Sequence, residues 1–193
     1  VEYAQLNIIS QLISKETNKK FNRKIIITTE RALQPHLINR KYFEDSILHI
    51  DKGKVMELKE LTLKLTQLGY KKEEITTNEG QWSQRGEIID VFPVNNEVPI
   101  RIEFFDNTIE KIREYDPSNQ RTLETISSIN ISQSASSHKI KKELINLSKN
   151  KEFYLEEKDI SNNLDRFLGL IEDSPSSIKS FIDSNTYIIF DEL

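Results

Sequence analysis

Hydrophobic positions in this chain run first at a helical period, then at a period of two, then at a helical period again. Leu6, Ile9 and Ile13 share one face of a helix predicted over residues 3–14. Residues 15–24 are polar and basic and read as a solvated loop. Ile25–Ile27 is a β-branched run closed by Thr28 and Thr29, the pattern of a buried, parallel strand. Thr29 can cap a short helix from Glu30 to about Leu37, which Pro35 keeps brief. Ile47–Ile50 predicts a second short strand, ended by Asp51-Lys52-Gly53.

Val55–Leu68 is the strongest helix. Leu58, Leu61, Leu65 and Leu68 form one stripe, Glu60 and Lys64 stand four apart on its flank, and Gly69 supplies the stop. Alternation then predicts strands at Glu74–Thr77, Trp82–Phe92, Val98–Phe105, Thr108–Tyr115 and Ile126–Ile131. Turn formers separate them: Asn78-Glu79-Gly80, Val94-Asn95-Asn96-Glu97, Asp106-Asn107 and Asp116-Pro117-Ser118-Asn119. Strands at such short intervals make an antiparallel meander. From Ser132 a serine-rich stretch reads as a linker. Ile140, Leu144 and Leu147 then mark a helix. Leu164, Phe167, Leu168 and Ile171 mark another, with Ser161 as a candidate cap, and Ile178 with Phe181 a short third. Tyr187–Phe190 closes the chain as an apolar strand. The coarse class is α/β, then β-rich, then α/β.

The chain has 193 residues, 30% charged and 36% hydrophobic, with net charge −4, a balance that suits a folded globular protein. No apolar run reaches the roughly 18 residues of a spanning helix, and no signal-peptide core opens the chain. No membrane partner is expected. The absence of cysteine removes disulfides, thiolate metal sites and cysteine nucleophiles, and fits a reducing, cytoplasmic setting. A mildly acidic chain is poorly suited to tight non-specific DNA binding. The abrupt apolar ends suggest a piece of something longer.

Catalytic patterns are missing. The five glycines are scattered, and none opens a phosphate-cradling P-loop. His36, His49 and His138 lack metal-ligand spacing and read as surface or packing residues. No serine sits in a nucleophile elbow. The expectation is a chain without catalysis, metal or cofactor of its own.

Chemistry concentrates in residues 81–115. In Ile100–Phe105, alternation puts Ile100, Ile102 and Phe104 on a wholly apolar face and Arg101, Glu103 and Phe105 on the other. An aromatic four residues from an arginine on one strand, both outward, is the composition of a protein-binding hot spot. The guanidinium could pair with a partner carboxylate while the ring supplies buried area. Alternatively a second layer covers that face and Phe105 is core. Gly86 reads as a bulge or close-approach point, which leaves the face of Arg85 open. Trp82 reads as core, and Arg113 and Arg121 as solvated charges at strand ends.

Residues 85–93 (RGEIIDVFP), 100–106 (IRIEFFD) and 109–116 (IEKIREYD) resemble a region shared by the excision-repair protein UvrB and the bacterial transcription-repair coupling factors (Mfd). Residues 116–124 (DPSNQRTLE), 26–37 (IITTERALQPHL) and 167–178 (FLGLIEDSPSSI) look more like the coupling factors. The resemblance implies an N-terminal, UvrB-like module. Residues 1–46 and 135–193 would form a degenerate RecA-like α/β lobe, parts of domains 1a and 1b. Residues 47–134 would be an inserted antiparallel, β-rich α+β domain, domain 2, which binds UvrA.

In that family the arginine before the glycine, the arginine of the next strand and the second phenylalanine contribute to the UvrA contact. They correspond to Arg85, Arg101 and Phe105. UvrB usually carries a further arginine where this chain has Ser83. A whole coupling factor is an ATP- and Mg-dependent DNA translocase. It displaces stalled RNA polymerase, contacts double-stranded DNA and masks its UvrA surface with a C-terminal domain. For this chain the resemblance implies a UvrA-recruitment module. The competing classes are a UvrB-like DNA-contacting or ATP-dependent motor fragment and a structural spacer.

Overall fold

A computed structural model describes residues 2–13, 25–35, 37–135, 137–150, 168–171, 175–184 and 186–189. The expected loop at 15–24, His36, the cap at Ser161, and Leu164, Phe167 and Phe190 lie outside them.

The chain is mixed α/β. A six-stranded sheet runs in the order β2-β3-β4-β5-β6-β7, built from β2 (Lys71–Lys72), β3 (Gln81–Arg85), β4 (Ile88–Val91), β5 (Ile100–Phe105), β6 (Thr108–Tyr115) and β7 (Thr122–Ile126). From β3 to β7 it is the expected antiparallel meander, and β2 adds to β3 in parallel. A separate two-stranded ribbon joins β1 (Leu48–Asp51) to β8 (Ser128–Ile131).

One sheet face carries cross-strand apolar rows: Trp82–Val91–Ile100 and Ile89–Ile102–Ile112. Helix α4 (Leu58–Gln67) lays Leu61, Leu65 and the following Leu68 on this face, and Ile50 and Ile131 of the ribbon complete the core. Each such isoleucine or leucine contributes roughly 1.5–3 kcal/mol by leaving water. The helix begins at Leu58 and not at the predicted Val55, because residues 53–56 are drawn onto the edge of β6. Ile109 N–H donates to the Lys54 carbonyl (3.0 Å) and Met56 N–H to that of Asn107 (2.8 Å). The expected Glu60–Lys64 ion pair forms at 2.7 Å.

Gly69 ends α4 as expected. Its φ is +88°, its N–H donates to the Thr66 carbonyl, and that of Tyr70 donates to Leu65, a Schellman closure.

A helical layer joins the two ends of the chain. It comprises α1 (Glu2–Ile13), α2 (Glu30–Leu33), α3 (Arg40–Asp45), α5 (Ser137–Asn150), α6 (Leu168–Ile171) and a 3₁₀ turn at Ile178–Phe181. Leu6, Ile9, Phe43 and Phe181 share one cluster, in which the Phe43 and Phe181 rings meet edge to face at 6.1 Å. Val94, from the turn after β4, inserts into it. Leu37 and Ser176 exchange backbone hydrogen bonds of 2.8 Å. In α5, Ile140 and Leu144 are buried as their spacing predicts.

Several expectations need correction. Ile25–Ile27 is not a strand, and Ile25 and Ile27 are at least 90% exposed. Residues 187–189 are likewise outside any strand. A β-branched run becomes a buried strand only where a neighbour takes up its backbone groups, and among the described residues none pairs with either segment. Glu74–Thr77 crosses the sheet as irregular chain, with the strand displaced to β2. The predicted strand Trp82–Phe92 is a hairpin broken at Gly86-Glu87. The strand predicted at Ile126–Ile131 is split between β7 and β8 at Ser127.

The serine-rich stretch is not a loose connection at its start. Ser132, Gln133 and Ser134 are buried. Ser134 N–H donates to the Leu68 carbonyl at 2.8 Å, the Tyr70 hydroxyl donates to the Ser132 carbonyl at 2.9 Å, and Asn95 Oδ1 accepts from Ser132 N–H and Oγ. Small hydroxyl side chains suit a buried segment whose backbone must be satisfied by its neighbours.

Candidate functional site

The face of the sheet opposite α4 carries the chemistry. Two tight turns lie at one end of it. The β3–β4 hairpin closes through Gly86-Glu87, where Gly86 has φ +61° and Glu87 does not share the left-handed conformation. That is the φ pattern of a II′ turn, for which glycine is suited. Gly86 is therefore a turn residue and not a bulge. The β5–β6 hairpin closes through Asp106-Asn107, with Asp106 at φ +54°. Phe104 N–H donates to the Glu87 carbonyl at 2.9 Å, which holds the two turns side by side.

Strand register assigns the faces. Ser83, Asp90, Arg101 and Arg113 form one cross-strand row, and Arg85, Ile88, Glu103 and Lys111 the next. Phe105 stands opposite Thr108 one row further toward the turns. Directly opposed residues of antiparallel strands point the same way. Arg85, Arg101 and Phe105 therefore lie on one face, which settles the side that Arg85 takes. Phe105 is 72% exposed, while Ile100, Ile102 and Phe104 are buried, as alternation predicts. A bulge in β6 at Glu110 leaves the alternation of β5 intact.

The three residues differ in availability. Arg85 is exposed and has no ion pair among the described residues. Arg101 is already engaged. Its Nε and Nη2 bond both oxygens of Asp90 at 2.7 and 2.8 Å, and Nη2 also donates to Gln120 Oε1 at 2.7 Å. Its guanidinium lies 4.6 Å from the centroid of the Tyr115 ring. These bonds to Asp90 hold the Arg101 charge more firmly than usual, against the desolvation that opposes it. Arg113 pairs with Glu103 and donates to Thr122 Oγ1, so it is a structural charge and not a free strand end.

Residues 73–78 cover the far end of the face. The buried Thr76 hydroxyl bonds Ser83 Oγ at 2.9 Å and the Asp90 carbonyl at 3.2 Å. Ser83 thus fills a buried polar contact under this cover. Tyr115 is buried beneath this cover, and burial, with Asp90 beside it, pushes its phenol well above the ordinary range. Trp82 is core, as expected, with Lys72 Nζ 5.2 Å from its ring centroid.

Residues 48–136 match the family described as the UvrB interaction domain. The six-stranded sheet and its outer face lie within the matched residues. Relatives extend the likeness beyond the domain. A transcription-repair-coupling factor of Bacillus subtilis is 28% identical over 217 aligned residues that cover 98% of this chain and 18% of that protein. Those of Haemophilus influenzae and Escherichia coli are 37% and 29% identical over 52% and 56% of the chain. The coupling-factor resemblance legible in the residues is therefore borne out. The chain spans less than a fifth of the length of these relatives.

Three residues of the matched region escape sequence reading. Asp90 is outward by alternation, but its pairing with Arg101 needs the β4–β5 register. Gln120 reaches Arg101 only because the turn after β6, where Gln120 has φ +62°, folds back. Val55 looks like the first residue of a helix and is instead a bridge partner of Thr108.

Proposed function

We propose that this chain is a recruitment module of transcription-coupled excision repair. It docks the UvrA protein on the outer face of its UvrB interaction domain and performs no catalysis itself. The observation that carries this reading is Phe105, a large aromatic 72% open to solvent on the matched sheet, on the same face as the guanidinium of Arg85, which has no ion pair among the described residues. Arg85 supplies charge-assisted pairing with a carboxylate, and Phe105 fills an apolar pocket. Arg101 holds the face in shape and offers its remaining Nη1.

The layer formed by the two chain ends is read as part of a degenerate RecA-like lobe, a reading supported by the Leu37–Ser176 bridge. ATP and Mg²⁺, double-stranded DNA, RNA polymerase and a masking C-terminal domain belong, on this proposal, to a whole coupling factor. On this proposal the docking face binds UvrA wherever such a mask does not cover it.

Titration of purified UvrA against the chain tests the proposal. Phe105→Ala and Arg85→Ala should each weaken binding about thirtyfold, the loss expected of a desolvated hot-spot residue worth roughly 2 kcal/mol. Wild-type affinity in the double variant, or salt-dependent DNA binding by the chain with no UvrA affinity, overturns it.

A further inference from the structure

Val55 is 75% exposed, an unusual state for a valine whose neighbour Met56 is buried in the core. Its place follows from hydrogen bonding. Ile109 N–H donates to the Lys54 carbonyl and Met56 N–H to that of Asn107, so Val55 and Thr108 form a non-hydrogen-bonded antiparallel pair. In such pairs the side chains are close and on the same face. Thr108 is in turn opposite Phe105. Val55, Thr108 and Phe105 therefore make one row across three adjacent strands of the outer face, a threonine flanked by two exposed apolar side chains.

The next row gives this patch its electrostatic character. It holds Arg85, Ile88, Glu103 and Lys111. Glu103 is paired with Arg113, whereas Arg85 and Lys111 are exposed and have no ion pair among the described residues. In the row beyond, Asp90 is paired with Arg101. Every acid in these rows is thus neutralised and two cations remain. The exposed acids Glu87, Asp106 and Glu110 stand outside these rows, in the two turns and the bulge, so the rows themselves present an apolar strip beside two cations, complementary to a protein surface that offers an apolar pocket flanked by carboxylates.

We infer that Val55 is a second apolar anchor of the docking face, and that the partner surface over it is apolar and acidic. The inference rests on the docking proposal above and extends it by one residue, Val55, and by the reach of its apolar and acidic partner surface to that residue. Purified UvrA titrated against Val55→Asp, Val55→Lys, Val55→Leu and Phe105→Ala, each checked for a wild-type melting profile, tests it. Val55→Asp should weaken binding at least tenfold, Val55→Lys less than Val55→Asp, and Val55→Leu no more than threefold. Unchanged binding by Val55→Asp while Phe105→Ala loses affinity overturns the role of Val55 and leaves the docking proposal standing. A loss with lysine equal to or greater than that with aspartate overturns the acidic partner. Unchanged binding by both Phe105→Ala and Val55→Asp overturns the docking proposal itself.

Discussion

Asp90 grips Arg101 with both carboxylate oxygens, Oδ1 to Nε at 2.7 Å and Oδ2 to Nη2 at 2.8 Å, across adjacent strands of the sheet. Both side chains are about four-fifths buried, so the pair is far less screened than a surface bridge. The arginine that the family resemblance assigns to partner contact is thus neutralised within its own sheet. Its bonds to Asp90 and Gln120 tie β4, β5 and the turn after β6 together on the face that carries Phe105.

A double-mutant cycle checks this pairing. Arg101→Ala and Asp90→Ala should each destabilise the fold by about 2 kcal/mol, because each leaves a partly buried charge without its partner. The double variant should cost clearly less than the sum, with a coupling of at least about 1 kcal/mol in urea unfolding. Additive losses would show that the two side chains do not interact in solution.

Gly69 and Gly53 have similar left-handed backbones, at φ +88° and +84°. A Cβ on Gly69 would sit 2.9 Å from that of Ala135, whereas one on Gly53 meets nothing within 4 Å. Gly53→Ala should cost about 1–2 kcal/mol from backbone strain alone, and Gly69→Ala at least about 1 kcal/mol more. Equal losses in thermal melts would mean that residues 134–135 do not press on the end of α4.

The Tyr70 hydroxyl donates to the Ser132 carbonyl at 2.9 Å and accepts from Val94 N–H at 3.3 Å, both in buried surroundings. Tyr70→Phe removes the hydroxyl and strands these backbone groups. The expected loss is about 1–3 kcal/mol, with faster amide exchange around residues 94 and 132–134. Exchange unchanged there would rule out the clip.

Alkaline pH should expose Tyr115. Its folded phenol titrates above the ordinary 10.0, raised first by burial and then by the charge of Asp90. The folded state therefore holds its proton more tightly than the unfolded chain. This contribution is complete below pH 10 and is lost as pH rises beyond it. Thermal stability of the wild type should fall more steeply above pH 10 than that of Tyr115→Phe, and parallel curves would refute the assignment. Asp116 has the opposite sign. Its carboxylate is held below the ordinary 3.8, first by the Ser118 hydroxyl, and its contribution disappears as pH falls below that range.

Legibility in the sequence followed the range of the interaction concerned. The α4 stripe, the Gly69 stop and the alternation of Ile100–Phe105 are local, and each formed as its pattern predicts. The strand expected at Ile25–Ile27 depended on a neighbour, and Ile25 and Ile27 lie exposed. Gly86 was ambiguous because one glycine serves a bulge or a turn equally well until its partner strand is known.

The sequence by itself determined that Phe105 opposes the apolar face, because a period of two leaves one side for each residue once its neighbours are core. It also determined the kinship with coupling factors, which rests on residue order alone. Tertiary structure decided which outward charges are free. Arg85 is open while Arg101 is spent on Asp90 and Val55 joins Phe105, since pairing across strands depends on register, and register is set by contacts between residues distant along the chain.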